Sequence, residues 1–495
     1  MNPGRRSGDM SDHVKGISRR QTILFPETID EYVDEENPVR FIDAFVDMLD
    51  MAGIGFTHAE PKCEGRPPYN PADLLKLYIY GYLNQRRSSR KLEAECGRNV
   101  EVMWLMRKLG PDFKTIADFR KDNADCIKKV FREFVALCDK LGLFGKELIS
   151  IDGSKFKAVN SKERNFSREK LQDSIARADA SIERYMREMD ENDSSDSADE
   201  MGRKSESLKE KIKKARQCKA EYEDMLGEME RTGKNEISLT DPESRLMRTR
   251  HGLDVCYNVQ TAVDSKYKLI AEYDATSNSA DYNMLAPVAT GAREALCASS
   301  LEVVADKGYF DALQLKECVD NGITPSVPRH DAVGGIAAKR GIPKPDFYEG
   351  RFAYDAGTYA YACPAGRKLV YMGQGHWKDK RFLIYGSAPC QSCRFNMTAC
   401  TTNRKGRRIY RWEHQEIVEE MESRMRTREG REKFSKRKEL SEHPFGTMKL
   451  AFNQGYLLLR GLKKVKCEVG LTAIAYKLRR ALNIAGTGTM LKAVA

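Results

Sequence analysis

Apolar positions recur at three- and four-residue spacing up to about Gly145, which predicts a helical first region. In NPADLLKLYIYGYL, Asn70 to Leu83, Asn70 is placed to cap an apolar body. Ser88 or Ser89 is placed to cap the next segment, around which Arg86, Arg87 and Arg90 cluster. Thr115 with Asp118 three residues on predicts a capping box. Phe119, Ile127, Val130, Phe131, Phe134 and Leu137 follow at helical spacing, with Gly142 as the stop. The pattern then changes: Leu148, Ile149 and Ile151 predict a strand entering a core. Between about Asn165 and Thr232 two apolar seams appear, one from Leu171 to Met189 and one from Leu208 to Met229, with Lys219 in the second. Joined by the acidic stretch DENDSSDSADEMGR, they predict an antiparallel helical hairpin, suited to dimerisation or to spacing along DNA. Leu253 to Asp264 and Tyr267 to Thr276 predict paired strands around Ser265 and Lys266. A helix over DYNMLAPVATGAREAL, a strand before Asp306, a turn and helix, and a short strand in ITPSVP come next. From about Arg329 the chain is irregular, and a helical block runs from about Arg411 to Leu482.

Length and charge narrow what these elements serve. At 495 residues the chain exceeds one typical core, and two or three domains are expected. No apolar run approaches the ~18 residues that span a bilayer. The basic N-terminal stretch lacks an apolar signal region, so residues 1–20 read as a flexible arm and the protein as cytoplasmic and nucleoid-associated. A formal net charge of +11 fits a polyanionic partner, and short helices with basic turns fit DNA. The 13 cysteines are scattered and odd in number, which argues against a disulfide framework.

Two strand ends carry the same signature. Ile149-Ser150-Ile151-Asp152-Gly153 and Val303-Val304-Ala305-Asp306-Lys307-Gly308 each deliver an aspartate into a glycine-containing turn. In one sheet the two carboxylates would converge, repel one another, and call for a divalent cation such as Mg²⁺. Two-metal phosphodiester chemistry needs a third acid. Glu442, in LSEHPFGTMKLAF, precedes Pro444 near an expected helix start, and Lys449 lies two turns on along the same face.

Taken in order, IDGSKFKA, DPESRLMRTRHGLDVCYNVQTAVD, VVADKGYFD and EHPFGTMK closely resemble the DDE transposases of bacterial insertion sequences with an InsH-type N-terminal domain. The resemblance covers most of the chain, from about Thr22 to Asn483. It implies an α/β catalytic core of ribonuclease H-like type, a mixed sheet with flanking helices, over 146–485. It also implies an all-α DNA-binding domain over 21–145, an inserted helical hairpin at 165–232 and a cysteine-bearing insertion at 335–410. It further implies that Asp152, Asp306 and Glu442 are catalytic and hold two Mg²⁺ (or Mn²⁺) ions. The DNA ends of the mobile element and its target would be the substrates, cut and joined by a homodimer on DNA. Lys449 matches the lysine of the family's Tyr-Arg-Glu-Lys pattern and is expected on phosphate. The chain departs from that pattern in carrying Lys438 for the arginine and Ser435, beside Phe434, for the tyrosine.

Arg248 and Arg250, in RLMRTRHG, join Arg86, Arg87 and Arg90 as expected DNA contacts. His251 and His443 flank the site segments, with DNA contact or packing both open. Cys363, Cys390, Cys393 and Cys400, including a C-x-x-C pair, suit a structural Zn²⁺ in a stretch with little apolar pattern of its own. The rival readings are a ribonuclease H-like nuclease without strand transfer and a silent, transposase-derived DNA-binding protein.

Overall fold

The computed structural model describes residues 28–60, 67–192, 198–233, 235–329, 342–377 and 380–495. The basic arm over 1–20 lies outside them. Two apolar pillars organise the main core. The helix Pro71–Leu83 is buried almost all round, and Asn70 caps it by accepting from the Ala72 N–H at 2.9 Å. Its inward Lys76 is tolerated because Asp43 and Asp47 each meet the ammonium at 2.6 Å. The second pillar, Leu462–Ala485, packs against Pro71–Leu83, Cys126–Lys140 and the central sheet. One apolar cluster therefore runs from the N-terminal helices through the sheet. Each fully buried Ile, Val, Leu or Phe in it contributes about 1.5–3 kcal/mol.

Two local expectations are corrected by competing caps. The helix over Thr115 begins at Phe113, because Asp112 accepts from both the Lys114 and Thr115 N–H groups; no box forms between Thr115 and Asp118. Ser88 precedes Ser89–Cys96 without a side-chain cap bond.

The central sheet is mixed. Its strands are β1 (Leu148–Lys157), β2 (Arg245–Thr249), β3 (Gly252–Asp264), β4 (Ile270–Thr276), β5 (Leu301–Val304) and β6 (Ile323–Ser326). The order is β2-β3-β1-β5-β6, with β4 also paired to β3. β5 runs parallel to both β1 and β6, whereas β3 is antiparallel to β1. The β3–β4 turn is longer than the two residues expected. The buried Asp264 carboxylate holds it by accepting from the backbone N–H groups of Gly145, Lys146 and Lys266.

Between β1 and β2 the helices Arg168–Asn192 and Ala198–Thr232 pack as a hairpin. The seam lysine, Lys219, is met by Asp179 at 2.7 Å. A separate five-stranded antiparallel sheet spans Ala353–Trp412, with its own small core around Phe347, Phe352, Leu369, Tyr385 and Ile409. No helix among the described residues is long and apolar enough to cross a membrane.

Candidate active site

β1 and β5 place the two aspartates together. Their parallel register pairs Ile149 with Val303 and Ser150 with Val304. Two residues further on in each chain come Asp152 and Asp306, at the same edge of the sheet. Each carboxylate is fixed by its glycine turn. Asp152 accepts from the Gly153 N–H at 2.8 Å, and Asp306 from the Gly308 N–H at 2.7 Å. Burial pushes the Asp152 carboxyl above its ordinary range, and the charge of Asp306 adds to the rise. Ser441, the Gly153 N–H and Arg437 act in the opposite direction. Two neighbouring acids, one of them poorly solvated, form a donor set that fits a hard divalent cation.

The helix Arg428–Gly446 lies over β1 and supplies the groups that meet Asp152. Arg437 stands 3.5 Å from the Asp152 carboxylate, and its carbonyl accepts from Ser150 at 3.2 Å. Neither Arg437 nor Ser441 was singled out from the sequence. Glu442 follows Ser441 but occupies the exposed flank; its side chain is 54% accessible and lies 4.0 Å from Lys438. Among the described residues, no group of three or more His, Cys, Asp or Glu side chains is gathered closely enough to hold a metal ion. The structure thus brings Asp152 and Asp306 together and leaves Glu442 one helical position away from the face that meets them.

Glu442 does not lie near a helix start either. Pro444 sits inside the helix, close to its end, and a π-helical turn follows over Thr447–Ala451. That turn aims Lys449 back at β1, where its ammonium donates to Ser154 Oγ at 2.6 Å and to the Lys155 carbonyl at 2.8 Å. Burial lowers the Lys449 ammonium to about 8, and the nearby charges of Arg250 and Lys155 contribute. Arg248 and Arg250 are exposed at the β2–β3 turn. His251 is exposed there too. His443 faces away from the aspartates, with Nδ1 3.0 Å from the Tyr476 hydroxyl and Nε2 3.4 Å from Arg480.

The arginine cluster divides. Arg86 and Arg90 are exposed, the first near Glu95 and the second over the Phe113 ring. Arg87 is corrected from a DNA contact to a buried strut. Its guanidinium meets Glu468 at 3.1 Å, donates to the Tyr456 carbonyl at 2.9 Å and lies over the Tyr456 ring. Burial of both partners means that Arg87→Ala leaves Glu468 uncompensated. The expected loss is about 3–5 kcal/mol in denaturant unfolding, with no change in the salt slope of DNA binding.

In the insertion, Cys363, Cys390, Cys393 and Cys400 line one small cavity with Leu369, Phe395 and Arg407. Cys363-Pro-Ala-Gly forms a tight turn in which the Ala365 N–H points at Cys363 Sγ (3.4 Å) and Gly366 takes φ +77°. Burial raises the Cys390 thiol, and pushes the Cys400 thiol up to about 11. The thiols are neighbours without closing on a common point.

Two family models match this chain. A transposase domain (DUF772) matches residues 27–122, and a transposase DDE domain matches residues 362–482. The chain belongs to the DDE transposases. In this transposase the second match spans the four cysteines, Glu442 and Lys449, while Asp152 and Asp306 lie upstream of it. No curated protein and no solved structure matches.

Proposed function

We propose that this protein binds the terminal inverted repeats of an insertion sequence and catalyses metal-dependent cleavage and strand transfer of DNA at Asp152, Asp306 and Glu442. The observation that carries this reading is the placement of Asp152 and Asp306 at one edge of neighbouring parallel strands. The order β4-β3-β1-β5-β6, with only β3 antiparallel to its neighbours, supports a ribonuclease H-like core. Magnesium or manganese held by the three acids would activate the attacking oxygen and neutralise the leaving one. Asp152 and Asp306, fixed by their own turns, need little reorganisation to hold a cation. Lys449 and Arg250 provide positive charge beside β1 for a phosphate of the cleaved strand, and Arg248, Arg86 and Arg90 are exposed for the duplex backbone. Joining two ends calls for two active sites, hence a homodimer on DNA. The test is incubation with Mg²⁺ and DNA bearing the element's ends, mapping cuts and joined products. Cleavage without joining would favour the nuclease reading, and no cleavage the silent one.

Lys449 gives this reading a pH signature. A free ammonium that titrates near 8 is partly neutral at pH 9, and a phosphate contact requires it charged. End-DNA affinity is expected to fall between pH 7 and pH 9. Lys449→Arg, charged throughout, should flatten that fall, as titration by fluorescence anisotropy would register.

The four thiols fit a structural Zn²⁺ by donor chemistry, and the Ala365 N–H is aimed to support a thiolate at Cys363. Metal analysis is expected to find about one zinc per chain. Cys393→Ser should lower zinc retention and the melting temperature together.

A further inference from the structure

Asp281, in the polar loop between β4 and the helix Leu285–Ala295, is part of no feature singled out from the sequence, yet it reaches the aspartate turns. A Cβ placed on Gly153 would fall 2.8 Å from Asp281 Oδ1, and one on Gly308 would fall 3.9 Å from Asp281 Oδ2 and 2.9 Å from Asp306 Oδ1. The two glycines that follow the aspartates therefore leave room for this third carboxylate. Its Oδ1 is held from behind, accepting from Asn258 Nδ2 at 2.6 Å and Gln260 Nε2 at 2.7 Å, with Lys155 at 3.7 Å. Gln260 in turn accepts from the buried Tyr309 hydroxyl, which feels the charges of Asp281, Asp152 and Asp306 together. A second, independent feature points into the same gap. Asn258 is fully buried and its Oδ1 has no hydrogen-bond partner; that oxygen would lie 3.0 Å from a Cβ on Gly153.

We propose that Asp281 supplies a carboxylate to the divalent cation held at Asp152 and Asp306, with Asn258 and Gln260 orienting it. The proposal rests on the metal-site reading of those two aspartates. An ion-binding carboxylate is itself normally hydrogen-bonded, and loss of such a ligand or its supports costs roughly 10–100-fold in metal affinity. Oδ1 has that support, and Oδ2 lies towards Asp306.

The test is Mn²⁺ binding to the full-length protein, followed by electron paramagnetic resonance, with melting recorded in parallel. Asp281→Asn is expected to weaken Mn²⁺ about 10-fold or more while end-DNA binding persists. Lys155→Gln keeps the question open to test should Asp281→Asn not fold. Asp281 is the principal charge facing Lys155, so removing that ammonium should tighten Mn²⁺ several-fold. Unchanged affinity in a folded Asp281→Asn protein, or in Lys155→Gln when the first variant does not fold, overturns the role of Asp281. Loss of Mn²⁺ in Asp152→Asn in that same series would leave the two-aspartate reading standing. Wild-type Mn²⁺ affinity in both Asp152→Asn and Asp306→Asn would instead remove the metal-site reading.

Discussion

Asp152→Asn is expected to reduce Mg²⁺-dependent cleavage of end DNA by roughly 10³–10⁴-fold, since a metal clamp contributes several kcal/mol at the transition state and each 1.36 kcal/mol is tenfold. The same variant should fold at least as well as the wild type. Burial raises the Asp152 carboxyl in the folded state, with Asp306 adding repulsion. A raised carboxyl makes the folded state bind its proton more tightly than the unfolded chain does. Its cost is absent below the unfolded value near 3.8, grows as pH climbs through the raised folded value, and is fully present at neutrality. Asparagine removes that cost at neutral pH and leaves the amide able to accept from the Gly153 N–H. The expected pair is therefore cleavage lost and melting temperature level or higher, with end-DNA affinity kept. Single-turnover cleavage and thermal melting at pH 7.5 decide it; equal cleavage by the two proteins would sink the assignment. A drop in both stability and cleavage would instead make Asp152 a structural acid held by Arg437.

The aspartates were legible because each ends an apolar strand and enters a glycine turn, a local pattern. Their adjacency was not local, since it depends on the parallel register of β1 with β5 across some 150 residues of sequence. Asp281 left no comparable trace. It sits in SNSADYN, with no apolar lead-in, and acquires meaning only where Gly153 and Gly308 open a space for it. Arg87 was indistinguishable from Arg86 and Arg90 because its deciding partner, Glu468, is 381 residues away. Arg437 was hidden for another reason. In EKFSKRKELSEH nearly every residue is polar, so the helical period carries little information about which face meets the sheet. The hairpin, by contrast, was readable from its seams, whose spacing is set within each helix and whose single lysine found Asp179 across the pair.

That ambiguity of face sets the second large effect. The helix Arg428–Gly446 turns Arg437 and Ser441 towards Asp152, whereas Lys438 and Glu442 occupy the adjacent, solvent-facing strip. One residue of helix is a rotation of about 100°. The means for such a rotation is next door. Pro444 removes one backbone donor inside the helix, and the π turn over Thr447–Ala451 already accommodates an irregular register. With DNA and Mg²⁺ present, rotation of this segment would exchange Ser441 for Glu442 beside Asp152, replacing a neutral hydroxyl by a cation ligand. Glu442→Gln is then expected to lose roughly 10²–10³-fold in cleavage, about 3–4 kcal/mol of transition-state stabilisation. Ser441→Ala should stay within several-fold of wild type, because its hydroxyl also bonds the Arg437 carbonyl and serves the resting register. Stability separates the pair as well: Glu442 is exposed, so Glu442→Gln should melt with the wild type. The opposite ranking, with Ser441→Ala inactive and Glu442→Gln fully active, would mean that the helix works in the register seen here. In that case Arg437 and Ser441 would position Asp152, and the third acid would have to be sought on the other side of the sheet, where Asp281 stands.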